Sequence, residues 1–186
     1  MLASIGRVAA ESAMTEAALR RLFSYLIASP FGSVIAAGED LSNLSTMCLR
    51  VARFNTQLTD DQLTFVVESI KAVEQLRPHR NFLVHATWEK ADAPGEHIGT
   101  RSSRVSTGTS RNALGTHEYL LWTPSDAEGL ADAFQTLTSR IEAFIAQTWP
   151  RPLPIMYERK AFERFNNMLP ASLRVTLGDP DSKGVY

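Results

Sequence analysis

Apolar residues recur at helical spacing along four long stretches of the chain. These stretches cover about residues 3–28, 41–54, 59–86 and 123–148. In each, apolar side chains return every three or four residues, which places them on one side of a helix. Thr59-Asp60-Asp61-Gln62 is a capping box, and Thr123 precedes a proline at the first position of the last helix. With a shorter helix around Val34-Ile35-Ala36, the pattern predicts an all-α bundle of four to five helices.

The helical period is lost between about residues 87 and 122. Thr87–Lys90 and Tyr119–Trp122 have the composition of short strands, and Asp92-Ala93-Pro94-Gly95 is typical of a turn. Residues 99–116 are rich in Ser, Thr and Gly, which predicts a loose hairpin arm or a mobile loop. We therefore expect a small β-hairpin insertion between the last two long helices.

The domain organisation follows from these patterns. A helical bundle is expected over residues 1–149, with the hairpin and loop insertion at about 87–122. Pro150, Pro152 and Pro154 then begin a proline-containing tail over residues 150–186, with room for one short basic and aromatic helix. That helix would cover an apolar patch or a second subunit, or bind nucleic acid.

Composition limits the class of function. The 186 residues include 19 Lys and Arg against 20 Asp and Glu, a net charge of -1, which excludes a globally basic nucleic-acid-binding protein but not a local basic patch. No apolar run approaches the ~20 residues of a membrane span, so no membrane partner and a cytoplasmic location are expected. Cys48, the single cysteine, is expected to be buried in a helix, with a reactive thiol as the alternative. No Cys/His cluster has the spacing of a zinc site, so neither a metal nor a cofactor is expected.

The residues suited to chemistry lie together in Arg80-Asn81-Phe82-Leu83-Val84-His85. Arginine carries a permanent planar charge that fits phosphate, and histidine can give and take a proton near neutral pH. On a helix, Arg77, Asn81, His85 and Trp88 would advance slowly along one face, and the long side chain of Arg80 could reach the same cleft. Pro78 precedes the motif, and the chain is expected to kink or restart there.

The Arg80-Asn81-x-x-x-His85 string resembles the signature of the HEPN superfamily (higher eukaryotes and prokaryotes nucleotide-binding domains). The all-helical bundle, the signature in the helix before the last, and a Trp three residues after the His are also similar to members of that group. The resemblance covers about residues 3–148 and implies a metal-independent endoribonuclease that works as a homodimer. It implies that Arg80 and His85 form the catalytic pair and that Asn81 is the orienting amide, which holds the His85 ring or a phosphate oxygen. The products would end in a 2',3'-cyclic phosphate and a 5'-hydroxyl.

Further RNA contacts are predicted outside the motif, at Arg77, Trp88, Arg101, Arg104 and Arg111. The last three lie in the stretch 97–117, which contains no acidic residue and would suit an arm that follows a phosphate backbone. The alternative for this stretch is a solvated loop. The alternative for Trp88 is a lid over the end of the bundle rather than a base-stacking platform.

Two classes of function remain open from the sequence. One is the HEPN-like endoribonuclease, a toxin or defence effector whose partners would be RNA, a second copy and a neutralising protein. The other is a non-catalytic module that holds a nucleotide, an RNA or a protein in the same cleft, and a purely structural dimerisation domain is a third option. In the structural alternatives His85 would be a core histidine, and Arg80 would pair with a carboxylate such as Glu74 or Glu89.

Overall fold

A computed structural model describes residues 1–29, 31–104 and 115–150, and only the backbone for 102–104 and 115–118. The described chain forms five helices: α1 Leu2–Leu26, α2 Gly32–Ile35, α3 Leu41–Phe54, α4 Asp60–His85 and α5 Pro124–Thr148. Three strands lie between α4 and α5: β1 Thr87–Lys90, β2 His97–Arg104 and β3 Gly115–Trp122. The predicted helical bundle with a small β insertion is confirmed. These elements belong to one compact unit, Met1–Arg151.

The first and last helices run parallel to each other through the bundle. Arg7 near the start of α1 pairs with Glu128 near the start of α5, and Tyr25 near the end of α1 stacks on Trp149 after α5, with ring centroids 5.4 Å apart. α4 runs in the opposite direction, because Phe65 near its start stacks on Phe144 near the end of α5 at 4.4 Å. The core of the bundle, to which α3 also contributes, contains the following fully buried large side chains: Val8, Leu19, Leu22, Leu44, Val66, Val73, Leu83, Phe134 and Ile141.

Side chains cap the two helices that flank the sheet. Thr59 and Gln62 form the predicted capping box at the start of α4. Thr123 and Asp126 form a second one at the start of α5. The backbone N–H and the hydroxyl of Thr123 donate to the Asp126 carboxylate, which lowers the pKa of Asp126. Both helices therefore begin where their caps predicted.

α4 continues from Asp60 to His85 with Pro78 inside it, so the predicted restart at Pro78 is wrong. A proline at this position removes the hydrogen bond to the carbonyl of Glu74, four residues earlier. Pro78 is exposed, so that carbonyl lies on a side of the helix that water can reach. Val73 and Leu83, on either side of the proline, are fully buried in the core and hold both halves of α4 in place.

The sheet is antiparallel with the strand order β1-β2-β3. Trp88 of β1 pairs with Gly99 of β2, and Gly99 pairs with Leu120 of β3. Residues 99–116 were predicted as a loose arm or a mobile loop. This segment instead supplies residues 99–104 of β2 and the first two residues of β3. Its Ser, Thr and Gly residues gave no alternation of apolar and polar positions from which a third strand could be predicted.

One face of the sheet rests on the last turns of α4. A Cβ atom added at Gly99 would lie 2.7 Å from Cε1 of Phe82 and 2.7 Å from Cη2 of Trp88, so only glycine permits this approach. The rings of Phe82 and Trp88 meet edge to face with centroids 6.0 Å apart. The guanidinium carbon of Arg101 lies 5.6 Å from the centre of the Phe82 ring, a cation–π contact.

Cys48 is fully buried, as predicted. Its thiol donates to the carbonyl of Leu19, with 3.4 Å between sulfur and oxygen. Burial raises the pKa of the thiol to about 12, so the protonated, unreactive form persists well above neutral pH. The predicted tail, apart from Pro150, lies outside the described residues.

Substitution of Gly99 by alanine is expected to lower the free energy of unfolding by about 1–3 kcal/mol, because the added methyl overlaps two packed rings. Urea unfolding followed by circular dichroism measures the change. Gly129→Ala in α5 is the matched control, since a Cβ there meets nothing within 4 Å. The control should be stabilising by roughly 0.5–1 kcal/mol, because alanine is the better residue inside a helix. Equal stability of Gly99→Ala and the wild type would show that the sheet does not rest on α4 in this way.

Candidate functional site

The last two turns of α4 present three different sides to their surroundings. Leu83 is fully buried toward the bundle, and Phe82 is 3% exposed beneath the sheet. Asn81 is half-buried and His85 is exposed on the remaining side. Packing covers two sides of this helix end and leaves His85 accessible to a ligand.

Arg80 is held by two neutral side chains. Its Nε donates to Oγ of Ser12 on α1 at 3.3 Å, and its Nη1 donates to Oδ1 of Asn81 at 3.0 Å. Among the described residues no carboxylate lies within ion-pair distance of Arg80. The alternative in which Arg80 pairs with Glu74 or Glu89 is therefore wrong for the described chain. The guanidinium of Arg80 is half-buried.

Asn81 lies between the side of α4 that holds Arg80 and the side that presents His85. With about 100° per residue, Asn81 and His85 are about 40° apart around the helix, whereas Arg80 and His85 are about 140° apart. No hydrogen bond joins His85 to either residue within the ranges that the structure describes. The exposure of His85 excludes the alternative of a core histidine.

Arg77, one turn before the motif, is paired with a carboxylate. Its Nε and Nη2 both donate to Oε2 of Glu74, at 3.2 Å and 2.8 Å. A partly exposed pair of this kind adds little stability, but it reduces the net charge that Arg77 offers to a phosphate. Arg77 therefore differs from Arg80, which has no such partner in the described chain.

Trp88 does not share the face of His85, so the predicted alignment of the four side chains is wrong at its last member. α4 ends at His85, and Trp88 belongs to β1, whose side chains follow the geometry of a strand. Its indole Nε1 donates to the carbonyl of Leu83 at 3.0 Å. The last four carbonyls of a helix lack partners within the helix, so Trp88 caps the end of α4 and packs on Phe82.

The three predicted RNA contacts in the arm are only partly within the described residues. Arg101 is half-buried and lies over Phe82, against α4. Arg104 is the last residue of β2, and its side chain is not described. Arg111 lies outside the described residues. The arginine that is placed thus has a packing contact rather than a position on a free loop.

Ser12 is the member of the site that the motif did not indicate. It lies 68 residues before Arg80, and it is fully buried on α1. The only sequence signal was a small polar residue on the inner side of a helix, and such residues are common. Contact with Arg80 required the antiparallel packing of α1 and α4.

The described residues contain no group of three or more His, Cys, Asp and Glu side chains that could hold a metal ion. In the same part of the chain, no helix combines the length and apolar character needed to cross a membrane. Comparisons with models of known protein families, with curated proteins and with solved structures found no match to this chain. Function is therefore inferred from the geometry of the site and from the resemblance of its motif.

Trp88→Phe is expected to lower the free energy of unfolding by about 1–2 kcal/mol, because the ring stays but the carbonyl of Leu83 loses its hydrogen-bond donor. Urea unfolding measures the change. Amide hydrogen exchange should also become faster in the last turn of α4. Unchanged stability and exchange would mean that the indole N–H does not cap this helix.

Proposed function

We propose that this protein is a HEPN-like, metal-independent endoribonuclease that acts as a homodimer. The observation that carries the proposal is the half-buried guanidinium of Arg80, whose hydrogen-bond partners in the described chain are neutral side chains. One of these partners is Asn81, and the exposed His85 follows Asn81 by four residues. A charged group for phosphate and an exposed group for proton transfer thus occur on one helix end.

The neutral partners of Arg80 matter for its affinity toward an anion. A guanidinium paired with a carboxylate would have its charge compensated, and an approaching phosphate would also meet the negative partner. Ser12 and Asn81 orient the guanidinium without cancelling its charge. Partial burial strengthens the attraction to phosphate, because the effective dielectric constant is lower than in water. Two of the five N–H groups are used by these partners, which leaves three for phosphate oxygens.

His85 would transfer the protons in the cleavage step. As a base it would remove the proton of the 2'-hydroxyl, whose oxygen then forms a bond to the adjacent phosphorus. The bond from phosphorus to the 5'-oxygen breaks, and that oxygen takes up a proton from an acid. Arg80 would stabilise the extra negative charge on the phosphoryl oxygens during this exchange. The products are a 2',3'-cyclic phosphate and a 5'-hydroxyl.

A dimer would solve two problems that one chain leaves. One histidine cannot be both the unprotonated base and the protonated acid of the same step, whereas a twofold dimer supplies two copies of His85. Arg80 and His85 of one chain also lie about 140° apart around α4. Two α4 helices that meet along their exposed sides would bring Arg80 of one chain toward the other chain's His85. A role as a toxin or defence effector, a neutralising protein partner and a cytoplasmic location come from the resemblance.

The proposed activity is tested by cleavage of labelled single-stranded RNA in excess EDTA. The wild type should cleave, and His85→Ala should lose about 10²–10⁴-fold in rate, the usual contribution of a general acid–base group. Arg80→Ala should also lose activity because the charge that faces phosphate is removed. His79→Ala and Arg53→Ala are matched controls, since both residues are exposed and lie away from the motif face.

Three outcomes separate the alternatives. Cleavage that depends on Arg80 and His85 and leaves cyclic phosphate ends supports the nuclease. A folded wild type that binds RNA without cleaving it, with binding that depends on Arg80, would favour the non-catalytic binding module. Equal cleavage by all variants would point to a contaminating nuclease.

Mixing of the wild type with an inactive variant tests whether the site is shared between subunits. If each cleavage needs His85 of both chains, an equal mixture of wild type and His85→Ala should keep about one quarter of the activity of the same total amount of wild type, because only a quarter of the dimers have both copies of His85. The subunits are mixed after mild denaturation, and differently tagged chains confirm that heterodimers form. Retention of half of the activity, which independent subunits would give, or a monomer by light scattering at tens of micromolar, would contradict a shared site.

A further inference from the structure

Ser12 lies on the buried side of α1 and has two hydrogen bonds with different roles. Its hydroxyl donates to the carbonyl of Ala9 at 2.9 Å, and its oxygen accepts from Nε of Arg80 at 3.3 Å. A hydroxyl has one hydrogen and two lone pairs. Since that hydrogen is directed to Ala9, the oxygen is oriented as an acceptor for Arg80. The side chain is fully buried, so water does not compete for this position.

We propose that Ser12 is a positioning residue that holds the guanidinium of Arg80 in the orientation that receives phosphate. This proposal rests on the proposed function of Arg80. A guanidinium is planar and rigid, so fixing Nε through Ser12 and Nη1 through Asn81 fixes the directions of all its remaining N–H groups. These are one N–H on Nη1 and two on Nη2. An arginine that is already oriented loses less conformational entropy when it engages the phosphate in the transition state.

The helix itself has little need for a serine at this position. The bond from Ser12 to Ala9 is local to α1, and alanine is a better helix former than serine. Ser45 on α3 gives a direct comparison, because it is 2% exposed and its hydroxyl donates to the carbonyl of Leu41 at 2.8 Å. No hydrogen bond from an arginine to Ser45 is found in the described chain. The contact with Arg80 is therefore what distinguishes Ser12 from a buried helical serine of the ordinary kind.

The test compares Ser12→Ala with Ser12→Thr and with Ser45→Ala as the matched control. Kinetics of cleavage of a single-stranded RNA oligonucleotide in EDTA should show kcat about tenfold lower for Ser12→Ala, the effect of losing one hydrogen bond to a charged group. KM should change much less, because Arg80 acts mainly on charge that develops in the transition state. Ser12→Thr keeps the hydroxyl and should retain most of the rate, and Ser45→Ala should retain all of it.

A second readout reports the contact without depending on activity. The Nε–H signal of Arg80 in a nitrogen–proton NMR spectrum can be assigned by its absence in Arg80→Lys. It should exchange slowly with water in the wild type and in Ser45→Ala, and at least tenfold faster in Ser12→Ala. Circular dichroism confirms that each variant is folded.

The outcomes distinguish this proposal from the one on which it rests. Loss of kcat together with faster Nε–H exchange in Ser12→Ala alone supports the positioning role. Equal kcat in Ser12→Ala and an active wild type would overturn that role and leave the nuclease intact. Unchanged Nε–H exchange would also overturn it, since any loss of rate would then have another cause. A wild type that does not cleave RNA would overturn the nuclease, and the positioning role in cleavage with it.

Discussion

The packing of the last two turns of α4 decides what this protein can present to a ligand. Leu83 is buried in the bundle on one side, and Phe82 is buried under the sheet on another, where Gly99 lets the strand backbone approach. On a further side, Asn81 is half-buried and His85 is exposed. A rigid helix end that is covered on two sides can hold its polar side chains within the narrow geometric limits that catalysis or specific binding requires.

The sheet owes its place in the fold to this same helix end. β1 begins two residues after α4 ends, so its first side chains return directly onto the helix that they follow. The indole of Trp88 caps the carbonyl of Leu83, and Arg101 covers the Phe82 ring from β2. Two residues that the sequence offered as RNA contacts therefore stabilise the support of the motif. A large aromatic or a cation near a functional motif is as useful for holding the motif as for touching a substrate.

The sequence predicted the local elements well and the long-range contacts poorly, for a physical reason. α3 and β1 have the predicted bounds, because amphipathic periodicity and composition are local properties. The restart predicted at Pro78 was wrong because the local cost of the proline is offset by core packing of Val73 and Leu83, which no short window of sequence contains. β2 was missed because its pairing with two other strands, rather than its own residues, makes it a strand. The contact of Ser12 with Arg80 could not be predicted either, because it also joins residues that are far apart in the sequence.

The neutral hydrogen-bond partners of Arg80 relate its position in the fold to its proposed role in binding an anion. Carboxylate partners are common for the arginines of this bundle, as shown by the ion pairs of Arg7, Arg20, Arg21 and Arg77. Within residues 1–29, 31–104 and 115–150, the partners of Arg80 are instead a hydroxyl and an amide, which orient a guanidinium but leave its charge uncompensated. A partly buried, uncompensated charge is unfavourable for stability by itself, because burial removes some of its hydration. Such a cost is expected where a charge has an anionic ligand to bind, and this is the reason for proposing phosphate as the ligand of Arg80.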